Sequence, residues 1–409
     1  MKNFYTILSI SLTLSILPSL FAFADPGSWI KKAATTTSKI NYASSFTIGE
    51  FAYVGTGHQA YVEGSIRKFF KYDSKQNIWS EVASLPNSIL ITKDPSSFSI
   101  NGKGYIVGGA KVVFMGNDCT KDCWEYNPAN NTWSQRSNFP RLMKQGIGFS
   151  IGNKAYVGLG TDYYNPLNDF YEYDQATNKW KQLNDFPAAP RLNAVSFSLN
   201  GKGYVGLGYI YQNYEYVGLN DFWEYDPSTD SWTRLKDFPG IGRRSAIGYG
   251  LGNYCYVGMG EPNDFYRFNL KTKEWETLGT ISDEGRLSPY SFCVNNKIYY
   301  GGGEDINQKK EYSDLWEFNK SDLATGIDRK QVERILIYPN PVIEGIYIQG
   351  TSGSNFIIIY DINGKKILSK KIIDNKNYIQ LQKIPNGVYM INISNEYGNI
   401  LFHSKIVKR

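Results

Sequence analysis

One pattern returns six times along this chain, and few folds can satisfy it. Tyr53, Tyr105, Tyr156, Tyr204, Tyr256 and Tyr299 are each followed, after one or two intervening residues, by a Gly pair or a Gly-x-Gly. A second aromatic follows each of them: Phe70, Trp124, Tyr171, Trp223, Tyr266 and Trp316. In five cases a tryptophan comes 9 residues later: Trp79, Trp133, Trp180, Trp232 and Trp275. The stretch 200–239 shows what one unit contains. Ala194–Leu199 is an apolar run, Asn200-Gly201 is a hairpin turn, and Lys202–Leu207 is a second run. Phe222–Tyr225 alternates aromatic and polar residues, as a half-buried strand does. A Pro-containing turn then leads to a fourth strand at Trp232–Leu235. Each unit reads as a four-stranded antiparallel meander that cannot bury both of its faces alone. The period of 43 to 54 residues lies in the range of propeller blades.

The sixth unit lacks its last strand, since Thr325 stands where the tryptophan should be. The other end of the chain supplies a candidate. Trp29 precedes Tyr53 by 24 residues, and the other tryptophans precede their next tyrosine by 23 to 26. The N-terminal segment should therefore pair with the strand of Phe318 and complete the sixth sheet. Closure of this kind removes open sheet edges. With paired glycines and a Tyr/Trp-bearing hairpin in each unit, residues 28–319 resemble the kelch family. The expected fold is all-β: a six-bladed kelch-type β-propeller over 25–320, closed by an N-terminal strand.

The ends of the chain read differently. Residues 1–24 have a basic start at Lys2, an apolar run and an Ala22-Phe23-Ala24 cleavage pattern, so a signal peptide is expected. No transmembrane anchor is expected in the mature chain. Residues 321–333 are a polar linker. Beyond it come Tyr338-Pro339-Asn340-Pro341, Asp361-Ile362-Asn363-Gly364 and Ile384-Pro385-Asn386-Gly387, ending in Lys405-Ile406-Val407-Lys408-Arg409. Residues 334–409 resemble the C-terminal sorting domains of type IX (Por) secretion substrates. The resemblance implies a small Ig-like β-sandwich, a partner in the type IX secretion machinery, and passage through the periplasm. The destination would be the medium or the outer-membrane surface of a Gram-negative bacterium.

The whole chain carries a net charge of +6, and residues 334–409 carry all of it, with 10 Lys/Arg against 4 Asp/Glu. The remainder is near neutral, which gives no reason to expect nucleic acid as a partner. Export makes a disulfide between Cys119 and Cys123 a candidate. Cys255 and Cys293, on strands of the fifth and sixth units, read as buried thiols behaving as small hydrophobes. No metal site and no cofactor is expected.

Candidate ligand-binding residues lie in loops that should emerge on one face. The loop between second and third strands varies most in length, and variable loops on a rigid scaffold commonly carry function. It is rich in tyrosine at Tyr163, Tyr164, Tyr209, Tyr211, Tyr214 and Tyr216, rings that either stack on a ligand or pack their own loop. Arg191, Arg243 and Arg286 each stand 13 residues before their tyrosine, with Arg141 at 15. They suit a carboxylate ligand or a structural ion pair. His58, Glu261 and Glu304 share the position five residues after the tyrosine. They should gather with Arg243 and Arg286 near one end of a central channel.

Two functions follow. The first is a non-enzymatic surface or secreted protein that binds a glycan or a protein. The second is an enzyme. A copper radical oxidase of the galactose oxidase type does not fit, because the repeats hold only His58. A sialic-acid mutarotase (N-acetylneuraminate epimerase) resembles the chain better, and Glu261, Glu304 and Arg243 would then be the acid-base group. Shared fold alone cannot decide between the two.

Overall fold

The computed structural model describes residues 28–35, 40–57, 67–86, 91–113, 116–212, 215–279, 281, 285–305, 310–319, 336–338, 341–349, 354–361, 365–373, 377–395 and 400–409. The expected signal peptide, the polar linker, His58 and Tyr214 lie outside them. The chain divides into two units, Met1–Leu323 and Ala324–Arg409. Among the described residues every regular element is a strand.

The first unit holds six four-stranded antiparallel sheets. Five are continuous meanders within 44–82, 96–136, 147–182, 195–234 and 247–278. The sixth takes Tyr290–Val294, Lys297–Gly301 and Leu315–Asn319 from one end of the repeats and Ser28–Lys32 from the other. Trp29 lies opposite Phe318 in that pairing. The Asn200-Gly201 turn has φ of 51° and 75°, the left-handed pair that a two-residue hairpin requires.

The tryptophans explain how neighbouring sheets hold together. Each fourth-strand indole N–H donates to a carbonyl just past the fourth strand of the preceding sheet. The acceptors are Ala83 for Trp133, Ser137 for Trp180, Asn184 for Trp232 and Lys236 for Trp275, at 2.9 to 3.5 Å. Trp29 continues the series, donating to Gly279 at 3.1 Å. Trp79 of the first sheet donates to Ala33, just past the N-terminal strand, at 2.9 Å. The strand Ser28–Lys32 thus stands as the fourth strand of the sixth sheet toward both of its neighbours. Trp29 also packs on Phe265, Tyr300 and Phe318.

The first strands of the sheets line a central cavity of about 560 Å³. Their hydroxyls stitch one sheet to the next. Ser97 donates to Ser45 O, Ser150 to Ser99 O and Ser196 to Gly148 O. Ser45 donates to Ser291 O and Thr47 to Cys293 O, joining the first sheet to the last. Tyr249 OH meets Ser291 Oγ at 2.8 Å between the fifth and sixth. Between the sheets lie aromatic and aliphatic cores, such as Val195, Phe197, Tyr204, Phe222, Phe238 and Val257.

The Cys119–Cys123 disulfide does not form. Cys119 ends the strand Gly116–Cys119, and its thiol donates to Thr161 O. Cys123 begins Cys123–Asn127, with its side chain in the core beside Phe98, Tyr105 and Tyr173. Both cysteines are free and buried, and burial pushes the Cys123 thiol up. Cys255 is buried in a core as expected, whereas Cys293 is only partly buried and lines the channel.

The second unit has a three-stranded sheet of Leu336–Tyr338, Gly345–Gln349 and Asn377–Gln380. Its other sheet has four strands: Lys366–Ile373, Ser354–Asp361, Gly387–Asn395 and Ile400–Lys408. Ile346, Ile348 and Ile379 of one meet Ile357, Ile359, Ile391 and Ile393 of the other in one core.

Candidate functional site at the channel mouth

Six residues, one per sheet, ring one end of the cavity: Tyr42, Asp94, Gln145, Asn193, Ser245 and Ser288. Each stands eleven residues before its repeat tyrosine. All six are left-handed, with φ from 50° to 62°. Such φ values are uncommon outside glycine, and their recurrence marks a backbone position that the architecture demands. The left-handed turn lets successive loops bond around the opening. Tyr42 N donates to Ser288 O, Asp94 N to Tyr42 O, Gln145 N to Asp94 O and Asn193 N to Gln145 O, at 2.9 to 3.2 Å. Ser288 N donates to Ser245 Oγ at 3.1 Å. The same turn directs six polar side chains at one opening.

Asp94 is the one carboxylate of this ring. Burial pushes its carboxyl up, against the pull of Lys93 and Lys144, to about 6. A carboxyl of that strength is present in both protonation states near neutral pH, as acid-base work requires. Tyr42 lies beside it and donates its O–H to Glu304 Oε1 at 3.0 Å. Burial and then the Glu304 charge push the Tyr42 hydroxyl up, so it stays protonated. Tyr209 is bonded to the Gln145 side chain and is pushed up by burial to about 12.

Cations border the same end. Lys93 Nζ lies 5.5 Å from the centre of the Tyr42 ring, and Lys144 Nζ 5.1 Å from that of Tyr163. Arg244 lies 4.7 Å from the Tyr216 ring. Among the described residues none of the three forms an ion pair; Lys93 and Lys144 face the Asp94 carboxyl of the ring, while Arg244 lies on the outer hairpin. The channel and the mouth share lining residues, including Pro95, Gly146, Ala194 and Ser291.

The arginines expected to bind ligand are structural instead. Arg191, Arg243 and Arg286 are 1, 2 and 1% exposed. Arg191 and Arg286 grip Asp221 and Asp314 with both terminal nitrogens. Arg243 is paired with Asp264 and donates to Pro262 O. Arg141 does the same with Asp169. Every one of these aspartates directly precedes a third strand, so the pair fastens the inter-sheet loop to its own sheet. The guanidiniums also lie over Phe186, Phe238 and Tyr312.

Of the expected gathering, His58 lies outside the described residues, and the backbones flanking Arg286 meet the loops of the two glutamates: Arg286 N donates to Gly260 O and Leu287 N to Glu304 O, each at 2.8 Å. Glu304 faces the mouth through Tyr42, whereas Glu261 is exposed on its loop, and no described hydrogen bond joins the two. Tyr209 is buried against Tyr216, and Tyr211 is 55% exposed on the hairpin Tyr209–Gln212 and Glu215–Gly218. Sequence reasoning missed Tyr42, Asp94 and the other ring members. The signal was present, as a polar residue followed by Ala, Gly or Pro at one fixed distance before each repeat tyrosine.

Comparison with known proteins adds a family context. Residues 136–245 match the N-acetylneuraminate epimerase family, and residues 336–409 match the secretion system C-terminal sorting domain. N-acetylneuraminate epimerase of Haemophilus influenzae (strain PittEE) is 27% identical over 218 residues, which is 52% of this chain and 51% of that protein. The enzyme of Pasteurella multocida (strain Pm70) is 32% identical over 126 residues, covering 29% of this chain and 31% of its own. The chain spans about half the length or less of these curated relatives. Among solved structures, YjhT superposes with a TM-score of 0.59 at 17% identity, covering 69% of this chain and 95% of its own. That likeness identifies the first unit as a β-propeller.

Proposed function

We propose that this chain is an exported six-bladed propeller that binds a carboxylated sugar of the sialic-acid kind at the channel mouth and speeds exchange between its anomers. The observation that carries the reading is Asp94, a carboxyl raised to about 6 among hydroxyls and beside two lysines. The names of the relatives point to the same substrate class. They move the balance from a passive binding protein, favoured by sequence alone, to an enzyme.

Anomer exchange needs little machinery. A base takes the proton of the anomeric hydroxyl, and that oxygen forms a carbonyl as the bond from the anomeric carbon to the ring oxygen breaks. An acid protonates the ring oxygen, and the reverse steps close the ring on the other face. Asp94 serves as one partner and the Tyr42–Glu304 pair as the other. Lys93 and Lys144 hold the sugar carboxylate.

The test is exchange spectroscopy by NMR on N-acetylneuraminate with the full chain and with Asp94→Asn. The chain should accelerate exchange, with one arm of the pH profile near 6, and the variant should lose about 100-fold or more. Equal rates with and without the wild-type chain would leave only binding. The sorting domain supports export, which immunodetection of the chain with and without residues 336–409 would check. The shortened chain should be retained in cells, and its unimpaired release would refute export through that domain.

A further inference from the structure

The mouth leaves a neighbouring surface unexplained. Tyr211 and Tyr216 are 55 and 59% exposed, and neither lines the mouth. Their rings lie 5.2 Å apart on a separate two-stranded hairpin inserted between the second and third strands of the fourth sheet, and Arg244 covers one of them. The third sheet repeats the arrangement with Tyr163 under Lys144. Tyr163 holds a φ of 90°, costly for an aromatic residue, yet its ring is 52% exposed. The nearby carboxylate of Asp162 is already engaged by Arg141 and by the backbone of its own turn.

This surface is continuous with the mouth. Tyr209 bonds to Gln145 of the ring on one side and packs against Tyr216 at 5.1 Å on the other. Exposed rings suit the C–H faces of sugars. Arg244, without an ion-pair partner among the described residues, suits a carboxylate. A single sugar acid seated at the mouth would use neither.

Building on the reading above, we propose that Tyr211, Tyr216 and Arg244 form an outer subsite for the second unit of an oligomer of carboxylated sugars. The unit at the reducing end, which alone keeps a free anomeric centre, occupies the mouth.

The test compares N-acetylneuraminate with its dimer on the full chain, by calorimetric titration and NMR exchange. The dimer should bind roughly tenfold more tightly than the monomer. Tyr211→Ala and Arg244→Gln should each remove most of that advantage and leave monomer exchange unchanged. Equal affinities, or variants without effect on the dimer, would overturn the subsite while monomer exchange left the enzymatic reading intact. Dimer binding that depends on Tyr211 and Arg244, with no exchange of either sugar, would support the subsite and refute the enzyme.

Discussion

Neighbouring residues of one loop have opposite fates here. Arg243 turns inward to Asp264 and is 2% exposed, while Arg244, the next residue, lies on the outer ring of Tyr216. The chain bends at Arg244 and Ser245, so the two neighbouring side chains part, and adjacency in sequence says nothing about shared role. Spacing identified the inward arginines as one structural position but not their partners, because the aspartates lie 21 to 30 residues further on. Arg286→Ala should destabilise the fold by about 3–5 kcal/mol, since it strands the Asp314 carboxylate. Denaturant unfolding measures this. Unchanged stability combined with lost sugar binding would restore Arg286 to the ligand site.

At the scale of elements, the pattern of tyrosines and tryptophans made the strands legible, down to the N-terminal strand beside Leu315–Asn319. Periodic aromatic residues report scaffold well because every sheet needs the same indole bond and the same core. The candidate site was less legible for the same reason. Asp94, Tyr42 and Ser288 share a backbone conformation and differ in side chain, so a search for repeated residue types passes over them. The Cys119–Cys123 disulfide was misread because short separation in sequence hid the strand change between the two residues. Trp29→Ala should cost about 3–5 kcal/mol by emptying a site packed by Phe265, Tyr300 and Phe318. Thermal unfolding checks it, and an unaltered melting curve would mean that the N-terminal strand contributes little to closure.

For the whole molecule, the division of charge matches the division of labour. The basic excess of +6 belongs to 334–409, the segment that resembles an address, and the propeller is nearly neutral. Its positive side chains are therefore local features rather than a general field. Many cations on the propeller are matched by carboxylates, as in Lys103–Glu125, Lys154–Glu172 and Lys297–Glu317, whereas Lys93 and Lys144 lie beside the mouth with no ion pair among the described residues. On the proposed reading, the two lysines beside the mouth supply the local positive charge that a nearly neutral scaffold does not. The most direct measurement is a crystal structure of the full chain soaked with N-acetylneuraminate. The account predicts sugar density at the mouth, with its carboxylate toward Lys93 and Lys144 and its anomeric carbon beside Asp94. Density on another surface, with the mouth left to solvent at saturating sugar, would contradict it.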